Sequence, residues 1–146
     1  MPDYQRSKIY KIVTNKNGNN DIYIGSTTSP LIKRFKAHLR TYCDWLDGKG
    51  RYMSSFKVLG SAFSSIKLIE KYPCKDKYEL LARERYHIEN NANCVNILIP
   101  GTYRRRDAKC HEPIKWKQRK DWIEKEKKKL DKDIEELAEI RRKFNV

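Results

Sequence analysis

A carboxylate within an apolar helical stripe is the first feature of this sequence that could do chemistry. Glu84 lies between Leu80 and Ile88 with i, i+4 and i+8 spacing, which places the three side chains on one face of a helix. A lone carboxylate is expensive to bury, so Glu84 requires a cation beside it, namely an arginine, a lysine or a metal ion. The alternative is a salt bridge to Arg83 or to another surface base at the edge of the face.

A basic side chain and an imidazole are spaced four residues apart in an earlier helical segment. Arg34 and His38 form a row that borders the apolar stripe of this segment. The stripe consists of Leu31, Phe35, Leu39, Tyr42 and Leu46. A guanidinium and an imidazole beside a buried face can point together into a cleft, although each taken singly is also typical of a solvated helix surface.

Two tyrosines lie on the predicted strands of a β-hairpin. Tyr10 and Tyr23 flank a polar turn over residues 15–20, whose Asn-Gly pair supplies the positive φ values that tight turns need. Because strand side chains alternate between faces, Tyr10 shares its face with Ile12 and Thr14. The turn is too long to fix the pairing register, so the sequence leaves open whether Tyr23 lies on that face as well.

The elements that must position these residues follow from periodicity and from boundary residues. Ser29 as N-cap and Pro30 as first helical residue begin a helix that ends near Trp45 or Leu46. A third strand is predicted over residues 64–72, with Ile66, Leu68 and Ile69 inside, and a second long helix over about residues 76–90. The sequence also predicts a loop over residues 47–52, a short helix over 53–59 ended by Gly60, and a last apolar strand over 95–98.

The fold predicted from these elements is a mixed α/β (α+β) domain with a small antiparallel or mixed sheet of about three strands flanked by helices. It occupies residues 1–100, and residues 101–146 form a basic linker and a long C-terminal helix from about residue 114 to 142. The apolar residues of this helix recur every seven positions, as Trp116, Ile123, Leu130, Leu137 and Phe144. So narrow a stripe favours docking on its own domain or weak pairing over a stable coiled coil.

Charge is the most informative property of the composition. The chain has 33 lysines and arginines against 19 aspartates and glutamates, a formal net charge of +14, and both predicted regions are basic. Such an excess favours a polyanionic partner, with nucleic acid as the default. No apolar run reaches the length of a membrane span, so we expect a soluble intracellular protein, cytoplasmic or DNA-associated. The spacing of the four cysteines predicts reduced thiols rather than a zinc site or disulfides.

The order of these residues resembles that of a known nuclease family. The triplets Lys8-Ile9-Tyr10 and Tyr23-Ile24-Gly25 are similar to the pair that names the GIY-YIG nucleases, with Lys8 where the family has Gly. The segments Arg34-x-x-x-His38, Arg83-Glu84-Arg85-Tyr86 and Cys94-Val95-Asn96 are similar to the family's downstream motifs. Together they span about residues 7–98, and the likeness is strongest to small single-domain endonucleases of phages and large DNA viruses, including the homing type.

The resemblance implies a metal-dependent endonuclease that hydrolyses phosphodiester bonds of DNA. Glu84 would be the sole protein ligand of one Mg²⁺ ion, with Mn²⁺ as a substitute, and Arg34 would clamp the scissile phosphate. Tyr10 is the first choice for the general base, its phenolate stabilised by neighbouring cations. Tyr23 would bind a phosphate or the attacking water, and His38 would orient that water or Tyr10.

Two further residues have structural roles in this assignment. Asn96 would tie the last strand to the site, and Gly25 would allow close approach between strand and helix.

The C-terminal region lies outside the resemblance. Its N-terminal part concentrates positive charge that we expect to contact DNA phosphates: Arg104, Arg105, Arg106, Lys109, Lys115, Lys117, Arg119 and Lys120. Its second half alternates acidic and basic residues, which is typical of a solvated helix acting as a spacer or dimer contact. The sequence therefore leaves a monomer and a weak dimer both open, and no base-reading unit is recognisable.

Two other functions compete with the nuclease. The first is a binding module that retains a nuclease-like fold without cleaving DNA. The intact set of six motif residues argues against it, since a degenerate copy would be free to lose some of them. The second is a structural protein assembled through the long helix, which leaves Glu84 on a buried face without a purpose.

Overall fold

The structure is a computed structural model that describes residues 1–15, 20–96 and 116–144, with backbone only for residues 116–120 and 122. After a 3-10 turn over Tyr4–Arg6, the chain forms β1 (Lys8–Thr14), β2 (Ile22–Thr27), α1 (Leu31–Leu46), α2 (Phe56–Leu59), β3 (Ser64–Lys71), α3 (Lys77–Glu89) and α4 (Trp116–Phe144). The predicted mixed fold, with a three-stranded sheet, flanking helices and a long C-terminal helix, is confirmed.

The hairpin register places both tyrosines on one face of the sheet. β1 and β2 pair antiparallel, with Tyr10 opposite Gly25 and Ile12 opposite Tyr23. Directly opposite residues share a face, so Tyr10, Ile12, Tyr23 and Gly25 all project to the same side. The tip of the turn, residues 16–19, lies outside the described residues.

The third strand pairs with β1 on its other side, which gives an antiparallel sheet with the order β2-β1-β3. The pairing shifts between Ile9 and Tyr10, which face Glu70 and Leu68, so that Ile69 is the extra residue of a β-bulge. The prediction that Leu68 lies inside is wrong, since it is 43% exposed. β3 is the outer strand, and the helices do not cover Leu68 there.

Helices α1 and α2 pack on the tyrosine-bearing face. The predicted α1 stripe is confirmed, because Tyr42 and Leu46 are buried and the other three members pack against the same core. The N-terminus of α1 differs from the prediction by one residue: Pro30, not Ser29, is the N-cap, and it makes no side-chain capping bond. The Ser29 N–H instead donates to Thr27 Oγ1 at 3.0 Å. The predicted short helix is confined to Phe56–Leu59 and is followed by Gly60.

Helix α3 covers the opposite face. It packs Leu80 and Ile88 against Ile9 and Ile24 of the sheet. Asp76 caps it by accepting a hydrogen bond from the Glu79 N–H at 2.9 Å, and Asn90 follows its last turn, so the predicted boundaries are confirmed. The predicted last strand is reduced, in the described residues, to a single parallel bridge between Ile22 and Cys94. Residues 97–100 lie outside the description.

Helix α4 docks on the α1 side of the domain. Ile123 and Leu130 pack against the cluster that contains Tyr42 and Trp45. The Glu126 carboxylate lies over the end of α2, where a Cβ added to Gly60 would come within 2.7 Å of Glu126 Oε2. The seven-residue stripe of α4 thus serves intramolecular packing at two of its positions. None of the helices in the described residues is long and apolar enough to cross a membrane.

Candidate active site

The centre of the site is the hydroxyl of Tyr10. It lies 2.7 Å from His38 Nε2, and Arg34 Nε donates a hydrogen bond to it at 3.1 Å. Arg34 and His38 are one turn apart on α1, and this spacing lets both reach the same oxygen on β1. Their predicted convergence is thus observed. The reading of His38 as a solvated surface residue is wrong, since only 3% of it is exposed.

Two hydrogen bonds meet at the Tyr10 hydroxyl oxygen. Arg34 can only donate, so it occupies an acceptor position on the Tyr10 oxygen. When the proton of the neutral His38 ring resides on Nδ1, the Tyr10 O–H is the donor to His38 Nε2. Burial and the positive charge of Arg34 lower the pKa of His38 from 6.5 to about 4, so the ring is neutral at neutral pH.

Tyr23 completes an aromatic frame around the imidazole. The His38 ring lies edge-on between Tyr10 and Tyr23, with centroid separations of 5.9 and 5.4 Å. Tyr10 is fully enclosed, whereas Tyr23 is half-buried. Of the two tyrosines, Tyr23 is therefore the one that solvent already reaches.

Burial raises the pKa of both tyrosines. For Tyr10 the charge and hydrogen bond of Arg34 oppose this effect without reversing it. For Tyr23 the neighbouring Tyr10 and Glu84 add to it. The expectation that nearby cations would hold Tyr10 as a phenolate is therefore wrong for the protein alone, because desolvation of the phenolate outweighs the attraction of Arg34.

Gly25 is required by its neighbour on the adjacent strand. A Cβ at this position would come within 2.5 Å of the Tyr10 hydroxyl oxygen and 2.6 Å of the ring carbon that carries it. The close approach is thus between two strands and not, as predicted, between strand and helix. Glycine lets the Tyr10 hydroxyl lie directly against the β2 backbone.

Glu84 reaches the site from the other face of the sheet. The Ser26 hydroxyl donates to Glu84 Oε2, and Ser26 directly follows Gly25 on β2. Burial raises the pKa of Glu84, while the Ser26 hydrogen bond and the Arg34 charge oppose the rise. The suggested salt bridge to Arg83 is wrong, because Arg83 pairs with Glu70 instead.

Arg83 belongs to a separate network that fixes α3 on the sheet. Its Nη2 donates to Glu70 Oε2 at 3.1 Å, and His87 Nε2 lies 2.8 Å from Glu70 Oε1. The Arg83 guanidinium also lies over the Tyr86 ring, 4.5 Å from its centroid. Hydrogen bonds from Arg83, followed by those from His87, lower the pKa of Glu70 to about 2.

Asn96 joins the last described segment to β2. Its Oδ1 accepts from the Ile24 N–H at 2.8 Å, and its Nδ2 donates to the Ile24 carbonyl at 2.7 Å. The side chain thereby satisfies both backbone groups of Ile24, as a neighbouring strand would. Cys94 Sγ donates to the same Oδ1 at 2.8 Å.

Five of the six predicted site side chains meet around residues 23–26 of β2, while Asn96 supports that strand. Ser26 was not predicted, because its contact with Glu84 depends on how α3 crosses the sheet. Its place after Gly25, on the face opposite Tyr10, was the only local signal. The predicted DNA-contacting residues of the C-terminal region lie outside the described side chains.

The residues that could hold a metal ion are few. In the described part of the chain, no three histidine, cysteine, aspartate or glutamate side chains come together as a metal site. Glu84 is the carboxylate at this site, with the Ser26 hydroxyl beside it. Such a donor set suits Mg²⁺, which retains several waters and takes phosphate oxygens as ligands, better than a metal that needs an all-protein cage.

Comparisons of the chain with protein-family models, with curated proteins and with solved structures gave no match.

Proposed function

We propose that this protein is a Mg²⁺-dependent DNA endonuclease that hydrolyses phosphodiester bonds through a single-metal site. The observation that carries the proposal is that two opposite charges, those of Arg34 and Glu84, stay apart. Both residues lie in the described part of the chain, and they attract each other without forming an ion pair. Arg34 is held by the Tyr10 hydroxyl and Glu84 by the Ser26 hydroxyl. Each charge is thereby kept for an external group of opposite sign.

Glu84 is the residue that would hold the metal. Its carboxylate is partly desolvated, so a cation beside it would recover electrostatic energy that burial removes. When bound, Mg²⁺ would polarise a phosphate oxygen and supply waters from its own shell, and Mn²⁺ could take its place. Ser26 keeps the carboxylate directed toward β2.

Arg34 would bind the scissile phosphate. Burial alone would lower its pKa, but Tyr10, Tyr23 and Glu84 raise it, so the guanidinium stays charged. The hydrogen bond to Tyr10 uses Nε, and a phosphate can take two parallel hydrogen bonds from the remaining nitrogens. A guanidinium held in place in this way stabilises charge that grows on the phosphoryl oxygens.

Tyr10 and His38 would carry the proton of the attacking water. In the proposed step Tyr10 accepts this proton as its own passes to His38 Nε2, which lies 2.7 Å from the Tyr10 oxygen. No free phenolate has to form, which agrees with the raised pKa of Tyr10. Because Tyr10 is enclosed in the protein alone, DNA binding would have to open a path for water to its oxygen. Tyr23 is the alternative base, since it is already partly exposed.

The proposal is tested by cleavage of supercoiled plasmid with Mg²⁺, with Mn²⁺ and with EDTA. We expect nicked or linear DNA only with metal, and a loss of at least 100-fold for Glu84→Ala, on the order of what removing one catalytic group costs. Glu79→Ala, an exposed glutamate on the same helix, is the matched control and should cleave like the wild type. Cleavage in EDTA, or by Glu84→Ala at the wild-type rate, would overturn the metal-dependent site.

A DNA-binding module without cleavage is the second candidate function. It is favoured by the net charge of +14, which attracts DNA whether or not the site is active. If the wild type and Glu84→Ala both shift DNA in a gel and neither cleaves a panel of plasmid, branched and single-stranded DNA, the binding module replaces the nuclease.

A further inference from the structure

Two pairs of lysines face each other directly across β1 and β3. Lys8 lies opposite Lys71, and Lys11 lies opposite Lys67. Like charges at directly opposite positions destabilise a sheet, so neither pair adds to its stability. Lys8 shares the face of Tyr10, whereas Lys11 lies on the other face, because side chains alternate along β1.

The pair formed by Lys8 and Lys71 borders the candidate active site. Lys8 lies opposite Thr27 at the end of β2, two positions from the pairing of Tyr10 with Gly25. Its backbone is two residues along β1 from Tyr10, about 7 Å at the usual rise of a strand. That separation is on the scale of the distance between neighbouring phosphates of one DNA strand.

The ammonium group of Lys8 is held at the junction between β2 and α1. Its Nζ donates to the Ser29 carbonyl at 3.0 Å, five residues before Arg34. An ammonium has three donors, so this bond leaves two for an external acceptor. Lys8 is half-buried and Lys71 is exposed, so a ligand can reach both. The resemblance places glycine where this chain has Lys8, so the family pattern provides no such cation.

We propose that Lys8 and Lys71 form a binding site for one DNA phosphate next to the phosphate held by Arg34. A phosphate between the two ammonium groups offsets their repulsion and makes charge-assisted hydrogen bonds with both. This inference rests on the proposed function for the position of the scissile phosphate, but the binding of DNA by the pair does not require cleavage. The pair Lys11 and Lys67 has the same charge on the same strands and lies on the sheet face opposite Tyr10.

The test measures the affinity of a fluorescein-labelled DNA duplex as a function of salt. We expect the double variant K8Q/K71Q to bind several-fold more weakly than the wild type. The slope of log K against log salt should be smaller by about 0.9, the value for one lost phosphate contact. The matched control K11Q/K67Q removes the same charge and should keep the wild-type slope. If the two double variants change the affinity and the salt slope equally, or if neither changes them, the proposed site is overturned.

The single variant K71Q separates binding from folding. Lys71 is exposed, and its replacement keeps the bond from Lys8 to Ser29. We expect its Tm to be equal to or above that of the wild type, since a like-charge pair is relieved, while DNA binding weakens. A lower Tm together with unchanged binding would assign the pair a structural role and overturn the proposal.

Plasmid cleavage run in parallel separates this inference from the proposed nuclease. Wild type that binds the duplex without cutting any DNA removes the nuclease and leaves the phosphate site to be decided by the salt slopes. Wild type that does not bind the duplex overturns both. If the nuclease is active, K8Q/K71Q should raise KM several-fold with kcat retained, because its contact is made equally in the ground and transition states.

Discussion

At the scale of single residues, the buried neutral imidazole of His38 makes stability depend on pH. Its pKa falls from 6.5 to about 4 on folding, so between these values the unfolded chain binds more protons and stability decreases as pH falls. The His38 contribution to the free energy of unfolding should fall by about 2 kcal/mol between pH 7.5 and pH 5. Urea unfolding at the two pH values measures it. His38→Gln should lose most of this pH dependence, and an unchanged dependence in that variant would contradict the assignment.

The residue scale also shows which part of the site could be predicted. The identity and spacing of Arg34, His38 and Glu84 are local properties, and the helical period alone places each on its face. The contact of Ser26 with Glu84 and the enclosure of Tyr10 depend on residues far apart in sequence. No local pattern encodes them. The state of the Tyr10 proton was wrongly expected for the same reason, since desolvation depends on the surrounding fold.

At the scale of elements, α3 is attached to β2 and β3, the two strands that flank β1. Arg83 binds Glu70 on β3, and the next residue, Glu84, accepts from Ser26 on β2. If the proposed nuclease is active, we expect Arg83→Met to loosen the placement of Glu84 and to raise the Mg²⁺ concentration for half-maximal cleavage several-fold, with the rate recovered at saturating Mg²⁺. Arg85→Met, which removes only an exposed pair with Glu89, is the control.

A Mg²⁺ titration of cleavage measures this difference. Equal half-maximal concentrations for the Arg83 variant and the wild type would exclude a positioning role. A variant that loses rate at every Mg²⁺ concentration would point to a general loss of folding instead.

The elements also show how much of the fold the sequence pattern could predict. The hairpin, α1 and α3 were predicted close to their observed bounds, because an Asn-Gly turn, an apolar stripe and an Asp cap act within a few residues. The hairpin register, the bulge at Ile69 and the exposure of Leu68 were not, because they arise when strands meet. The N-cap of α1 was misplaced by one residue, because Pro30 occupies that position and no side chain caps the helix there.

At the scale of the whole molecule, α4 contributes to the core that supports the site. Leu130 packs against the cluster beneath α1, while Ile134 is 51% exposed on the same helix. Leu130→Ala should lower the free energy of unfolding by about 1–2 kcal/mol, the range for a partly buried leucine. Ile134→Ala is the control and should change it little. Thermal unfolding measures both, and equal stability of Leu130→Ala and the wild type would mean that α4 does not dock in solution.

Because Tyr10 and His38 are enclosed, their presence in the sequence is not by itself a sign of catalytic activity. Only 0% and 3% of these residues are exposed, so they are components of the core as well as of the site. If the proposed cleavage were lost from a descendant of this chain, selection would still keep both, because losing either leaves a cavity or an orphaned polar group. Arg34 and Glu84 are half-buried, so this constraint is weaker for them. In such a lineage, these two residues would be the first to change once the proposed cleavage was no longer needed.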